Sequence, residues 1–381
     1  MPRVLLAGAF GQRNPGDDAL LTAFDRALPG VELVVPATDP AAVATSASVR
    51  PVPNSGGTVL RELRRSDGVV FGGGTVFKLL GSDTGRRRHD LLERGLGLAV
   101  AAHALGKPVA IVGVGASALP DVRSRRLARA LAARADMLVL RDSESIDLLA
   151  AAGVPVPIRL GADAAWTLLT PQAQATTTDS GRVVVTVSRH AGGPAAIPLL
   201  AAALAALARQ RPDVRVIELE PWQVGGPGQD DLDLARLLHR ALEVAGCACA
   251  TVTVPPATID EAAERYHDAR LLVGQRFHSL VAAAAAGCRF AAVAHEAKLA
   301  GLAARLGQVA LPPESGVTAL VEGFTTAMDG PVPDAAVIAD ETESASAMLA
   351  LMRTLVTCGQ GTRASDVHLR ALHLRPEALI R

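Results

Sequence analysis

Short apolar runs, each followed by a helical pattern, set the tightest limit on how this chain can fold. In the first half they are VLLAGAF (4–10), VELVVP (31–36), DGVVFGGG (67–74), PVAIVGVG (108–115) and DMLVLRD (136–142). Their apolarity is continuous rather than alternating, the pattern of parallel strands buried on both faces. Helical patterns lie between them, at 17–28, 88–105, 122–134 and 143–152. Gly106-Lys107-Pro108 and Gly153-Val154-Pro155 supply stop signals at two of the helix ends.

The polar, aperiodic stretch PQAQATTTDSG (171–181) interrupts this rhythm and reads as a domain junction. Strands then recur at 182–188, 213–220, 249–255, 269–274 and 289–295, with helices at 195–210, 230–245, 258–268 and 279–286. A last helical segment spans 341–356, and the tail to Arg381 reads as a helix returning to the first domain. The expected fold is therefore α/β, with two Rossmann-like parallel-sheet domains at 1–175 and 176–381. Successive domains of this kind place a site in the cleft between them, at the carboxyl ends of the strands.

A chain of 381 residues with 49% apolar and 20% charged residues can bury two such cores. Zero formal net charge argues against a broad nucleic-acid surface. Cys247, Cys249, Cys288 and Cys358 lack metal-site spacing and read as structural thiols in a reducing compartment. MPRVLLAGAFG reads as a first strand rather than a signal peptide. No charge-free apolar stretch approaches the ~20 residues of a membrane span. These features point to a soluble, cytoplasmic protein.

The chemistry collects at strand ends. In GAFGQRNPGDDALL (8–21) a Gly-rich turn leads into Asp17-Asp18. The spacing is not the dinucleotide fingerprint, and a carboxylate there would repel a pyrophosphate. Asp17 suits sugar hydroxyls, as an acceptor of hydrogen bonds or as a base, or it is an ordinary helix cap. FGGGTVFK (71–78) lacks the P-loop ending, and its three glycines suggest close backbone approach by a ligand. VGVGAS (112–117) is a third such corner. GSDTGRRRHD (81–90) carries Arg86 to Arg88 and His89, either a solvated face or a contact for an anionic lipid diphosphate. PWQVGGPGQDD (221–231) is a Gly-rich loop at another strand end.

In the second domain VSRHAGG (187–193) puts Arg189 and His190 after the first strand, and VGQRFHSLVAAAAAG (273–287) puts Arg276 and His278 at a strand-to-helix corner. Two guanidiniums and the N–H groups of a helix start suit a small, multiply charged anion. His278 beside them can move a proton near neutral pH. Lys298 follows a later strand and can add positive charge.

Taken in order, NPGDDALL, FGGGTVF, VGVGAS, LRDSESIDLLAAAGV with GADAAW, SRH, GQRFHSLVAAAAAG and EAKLAGLAARLG resemble the polysaccharide pyruvyltransferase family, collinearly over residues 4 to 307. The resemblance implies a GT-B-like fold with its two domains facing across a cleft. It also implies transfer of a pyruvyl group from phosphoenolpyruvate to sugar hydroxyls as a ketal. Arg276, His278 and Arg189 match the donor-site positions, with Lys298 beside them. Asn14, Gly16 and Asp17 match the first-domain motif, and Gly73, Gly74 and Thr75 join it on the acceptor side. GQRN and AHEAK depart from the family's more aromatic segments and bear on the acceptor.

The chemistry of such a donor suits His278 as the general acid, to the enol carbon or to the leaving phosphate, with Arg276 and Arg189 neutralising the departing anion and Asp17 orienting or deprotonating the acceptor. The chemistry calls for no cofactor and no metal. The expected partners are phosphoenolpyruvate and a sugar or lipid-linked glycan acceptor, with no nucleic acid; a peripheral contact with the inner membrane and a homo-oligomer stay open. Two rivals share the architecture: a nucleotide-sugar glycosyltransferase, for which Glu296 is the one tempting ribose ligand, and a non-catalytic anion-binding protein.

Overall fold

The computed structural model describes residues 1–43, 46–81, 85–154, 157–171, 180–189, 191–225 and 230–357. The core of the expected junction (172–179), His190, parts of two loops (82–84 and 226–229) and the tail with Cys358 lie outside the described residues. The chain divides into two compact units. One comprises Met1–Gln12, Asp17–Thr167 and the chain from Glu341; the other comprises Arg13–Gly16 and Leu168–Asp340.

The first unit runs β1 (Arg3–Ala7), α1 (Pro15–Ala27), β2 (Glu32–Ala37), β3 (Val49–Pro53), α2 (Gly56–Arg65), β4 (Gly68–Gly72), β5 (Thr75–Phe77), α3 (Asp90–Ala104), β6 (Val109–Ala116), α4 (Val122–Ala132), β7 (Met137–Leu140), α5 (Ser143–Ala151) and β8 (Arg159–Leu160). Its strands pair in parallel in the order β3-β2-β1-β4-β6-β7-β8, with β5 against β6. Leu5, Val69, Phe71, Ile111 and Leu138 bury one sheet face under Leu63, Leu92 and Leu131 of the helices. β3 and α2 are absent from the sequence reading. Pro51 and Pro53 argue against a strand there, but β3 is an edge strand, where a missing N–H is tolerated.

The second unit runs β9 (Arg182–Thr186), α6 (Ile197–Gln210), β10 (Val216–Glu220), α7 (Asp231–Val244), β11 (Ala250–Val252), α8 (Ile259–Tyr266), β12 (Leu271–Gly274), α9 (Phe277–Ala285), β13 (Phe290–Val293), α10 (Ala297–Arg305), β14 (Val309–Leu311), α11 (Val317–Asp329) and the start of α12 (Ala335–Thr357). All its pairs are parallel, in the order β11-β10-β9-β12-β13-β14. In each sheet the order reverses beside the first strand, between β1 and β4 and between β9 and β12. That reversal opens a crevice at the carboxyl ends of the strands. Both units are thus Rossmann-like, as the alternation of apolar runs and helical patterns requires.

The segment Gly193–Gln210 is long and apolar enough to cross a membrane by composition. Ile197, Leu200, Leu204 and Leu207 on it pack into the core with Val185 and Ile217, which accounts for that apolarity. Cys247 and Cys288 are buried and free, and burial pushes their thiols up to about 11 and about 12. Thiols held protonated at neutral pH fit the structural reading.

Candidate functional site

The crevice of the second sheet is built by the ends of β9 and β12. Gly274 closes β12 because a Cβ there would stand 2.3 Å from Leu280, so the glycine lets α9 settle onto the strand end. Every residue of α9 is buried, and its alanines let it nest between α8 and α10. The corner is pinned by a directed chain of hydrogen bonds. Ser279 donates its only hydroxyl proton to the Arg276 carbonyl at 2.7 Å, so Thr186 must donate to Ser279 across 3.0 Å. Thr186 Oγ1 in turn accepts from the Gln275 amide at 3.2 Å. Gln275, itself buried, accepts from the Ser188 amide at 2.8 Å.

Arg189 and Arg276 each follow one member of that last pair, so the fold brings both guanidinium-bearing positions to one crevice, as their strand-end placement predicts. Arg189 Nε is buried with no hydrogen-bond partner. Buried donors are rarely left orphaned, and such a group calls for an acceptor from outside the chain. Arg276 is held from one side: its Nε donates to Asp231 Oδ2 at 2.9 Å and its Nη2 to Asp231 Oδ1. The Arg276 side chain keeps 12% of its surface exposed, and Asp231 keeps none.

His278, in the first turn of α9, is 8% exposed. The Phe277 ring meets it edge-on at 5.4 Å. Within this unit Gly16 lies directly against it: a Cβ at 16 would stand 2.1 Å from His278 Nδ1. The glycine of NPGDD is therefore fixed by the histidine. Arg13 adopts a left-handed backbone, with φ at 53°, and a Cβ on Gly225 would meet its Nη1 at 3.4 Å. That conformation is costly for a residue with a side chain, and it places Arg13 over the loop between β10 and α7.

Asn14 is the cap of α1, its Oδ1 accepting from the Gly16 amide at 3.1 Å. Asp17 is therefore not the ordinary cap. Its Oδ1 lies 4.0 Å from the point where a Gly74 Cβ would stand, so the structure brings Asp17 and Gly74 together. Packing inside the unit accounts for two of the three glycines of FGGGTVFK. A Cβ on Gly72 would strike Phe24 at 2.6 Å and one on Gly73 would strike Leu20 at 2.7 Å, so packing explains both. Thr75 opens β5, which pairs with Gly115. The VGVGAS corner is likewise filled from within, by Met348 of α12 at Gly113 and Arg141 at Gly115.

Two further charged features take places the sequence left open. Arg86 pairs with Asp90 at 2.8 Å, Arg87 with Glu93 at 3.0 Å, and Arg88 and His89 with Asp121. Each group of that basic run thus has a carboxylate neighbour, Arg88 and His89 sharing Asp121, which favours the solvated-face reading over a lipid diphosphate. Lys298 pairs with Glu296, so the carboxylate that the nucleotide-sugar rival needs is already engaged.

Two residues of interest escaped the sequence reading. Asp231 hides in an Asp-Asp pair whose first member is an ordinary cap, Asp230 accepting from Leu232 at 2.9 Å. Burial pushes the Asp18 carboxyl up to about 7, with the Asp17 charge adding to the rise. The adjacency of Asp17 and Asp18 was the available signal. Among the described residues, no group of three or more His, Cys, Asp or Glu is placed to hold a metal ion.

Comparison with known proteins agrees with this architecture. No curated protein matches the sequence. Anabaena HepE, solved in complex with UDP and glucose, superposes with a TM-score of 0.60 at 13% identity, covering 97% of this chain and 98% of that one. UDP-N-acetylglucosamine 2-epimerase from Rickettsia bellii gives 0.59 at 10% identity, covering 98% and 99%. The Methanocaldococcus jannaschii UDP-GlcNAc 2-epimerase gives 0.56 at 10%, covering 94% and 100%. These likenesses identify a GT-B fold. The family model for polysaccharide pyruvyl transferase matches residues 14–296, from the cap of α1 to the carboxylate before α10. The chain belongs to the polysaccharide pyruvyl transferase family and is a transferase.

Proposed function

We propose that this transferase moves the pyruvyl group of phosphoenolpyruvate onto two hydroxyls of a sugar on a cell-surface glycan precursor, releasing phosphate. The observation that carries the reading is the pair of arginines at one strand-end crevice, Arg189 with an orphaned buried Nε and Arg276 held from one side only. Phosphoenolpyruvate presents a carboxylate and a phosphate on one small skeleton, which two guanidiniums can share.

The reaction divides into steps that these residues can serve. A proton added to the methylene carbon makes a methyl group and leaves the neighbouring carbon electrophilic. One sugar hydroxyl bonds to that carbon, the carbon–oxygen bond to phosphate breaks, and a second hydroxyl completes the ketal. Of the two hydroxyl protons, one balances the proton on the methyl and the other leaves with phosphate. His278 is the acid; with Gly16 crowding Nδ1, the transfer is assigned to Nε2. Arg276 and Arg189 offset the charge on the leaving phosphate. Asp17, beside the open Gly74, orients or deprotonates the acceptor, and Asp18, protonated below about 7, is a neighbouring hydrogen-bond donor.

The test is product analysis of purified protein with candidate glycan acceptors. Phosphate release that needs both phosphoenolpyruvate and acceptor supports the reading. Release of a nucleoside diphosphate from a nucleotide sugar, or no thermal stabilisation by phosphoenolpyruvate at millimolar concentration, overturns it.

A further inference from the structure

We propose that Asp231 is a positioning residue for Arg276: it clamps the Nε–Nη2 edge and leaves the Nη1 end to meet the donor anion. The inference rests on the donor reading above for the identity of that anion. Its geometry stands separately.

Asp231 is the first residue of α7 and has no exposed surface. Its Oδ2 accepts from the Gln223 amide at 2.9 Å, the Trp222 amide at 3.3 Å and Arg276 Nε at 2.9 Å; its Oδ1 accepts from Arg276 Nη2. The carboxylate is therefore fixed by the strand-to-helix loop and by the positive end of the helix before it holds the arginine. A guanidinium gripped along one edge keeps a single orientation. Among the described residues nothing pairs with Nη1, and that nitrogen is not one of the buried unpartnered atoms, so solvent reaches it.

The clamp also settles the charge. Asp231 cancels Arg276, so the crevice carries the net positive charge of Arg189 alone among these three groups. An anion entering here is held without the strong trap that two uncompensated arginines would make, which lets phosphate leave after each turnover. Arg276 then contributes a charged donor held in one orientation, rather than uncompensated net charge.

The experiment compares wild type with Asp231→Asn, which keeps the side-chain shape, and Asp231→Glu as a second variant that retains the carboxylate. One arm follows phenylglyoxal modification of Arg276 by peptide mass spectrometry, with and without phosphoenolpyruvate; the other measures donor KM and kcat. In Asp231→Asn, Arg276 should react at least about 10-fold faster, and donor KM should rise about 10- to 100-fold with kcat changed far less. Asp231→Glu should recover part of both. An Arg276 modification rate within twofold of wild type in Asp231→Asn overturns the positioning role, as does a fall in melting temperature with donor KM unmoved. If Asp231→Asn speeds modification but phosphoenolpyruvate gives wild-type Arg276 no protection, the clamp stands and the donor reading fails.

Discussion

Two arginines stand at strand-to-helix corners, one in each unit, and have opposite fates. Arg141 follows β7 in the first unit, and Arg276 follows β12 in the second; each precedes a helix and touches a buried aspartate. Arg141 bonds Asp142 through Nε at 3.3 Å and Asp163 through Nη1 at 3.0 Å, with 2% of its side chain exposed. Two carboxylates hold that guanidinium in the interior, where an anion from outside the chain does not reach it. Arg276 meets a single carboxylate, and Arg189 stands nearby in the chain's fold with an unanswered donor. An arginine at a strand end is therefore not a binding residue by position alone. The count of carboxylates around it decides.

The largest effects expected separate these two roles. Arg276→Ala should lower kcat/KM at least ~100-fold, as loss of a group that offsets transition-state charge does, while its fall in Tm stays below that of Arg141→Met because one buried carboxylate, still held by two backbone amides, is stranded rather than two. Arg141→Met should act on the fold instead. It strands Asp142 and Asp163 in the interior, a loss of about 3–5 kcal/mol and ~6–20 °C in Tm. Calorimetry and steady-state kinetics on both variants check the contrast. Full activity in Arg276→Ala, or a Tm in Arg141→Met within a degree of wild type, would break it.

A smaller effect concerns Gly16, which shares the second unit with His278. Alanine at 16 must displace the imidazole, because its Cβ would stand 2.1 Å from Nδ1. We expect kcat to fall ~10- to 100-fold, the scale of a misplacement near 1 Å, while donor affinity changes less. Gly56→Ala, an exposed helix position with nothing within 4 Å of its Cβ, is the matched control and should leave turnover alone. Equal turnover in Gly16→Ala and wild type would remove His278 from the proton transfer.

The same contrast explains what could be read from the sequence. Both Rossmann-like sheets were legible because their inner strands are buried on both faces and so are continuously apolar. Of the strands that escaped, β3, β8 and β14 end their sheets, where half the burial and most of the pattern are lost, and β5 is a short strand paired only with β6. That Arg189, Arg276 and His278 stand at strand ends was legible, because that placement is local. Asp231 was not, because it meets Arg276 across 45 residues only after the loop from Trp222 folds back. The packing role of Gly72 and Gly73 was hidden for a related reason: the side chains that require them, Phe24 and Leu20, lie on α1. Glycines announce a close approach but not what approaches.

The smallest effect expected lies in the acidic corner of the first unit. Burial holds the Asp18 carboxyl at about 7 against an ordinary value of 3.8, so the folded chain binds that proton more tightly than the unfolded chain. Stability from this group is complete below about 4 and is lost as pH rises through about 7. Asp18→Asn removes the dependence, so the variant should melt above wild type at pH 8 and lose that advantage by pH 4. Partial exposure reduces the full value of the shift, and about 1–2 kcal/mol, or ~2–8 °C, is expected. Asp121 supplies the opposite sign: the Ser124 amide, then His89, hold it at about 2. Its contribution is present above 3.8 and fails only as pH falls through about 2. Asp121→Asn should therefore lower Tm at pH 5, with the deficit shrinking as pH falls toward 2. Parallel pH profiles for wild type and Asp18→Asn would place the Asp18 charge in water and leave the first unit's corner with two ordinary carboxylates.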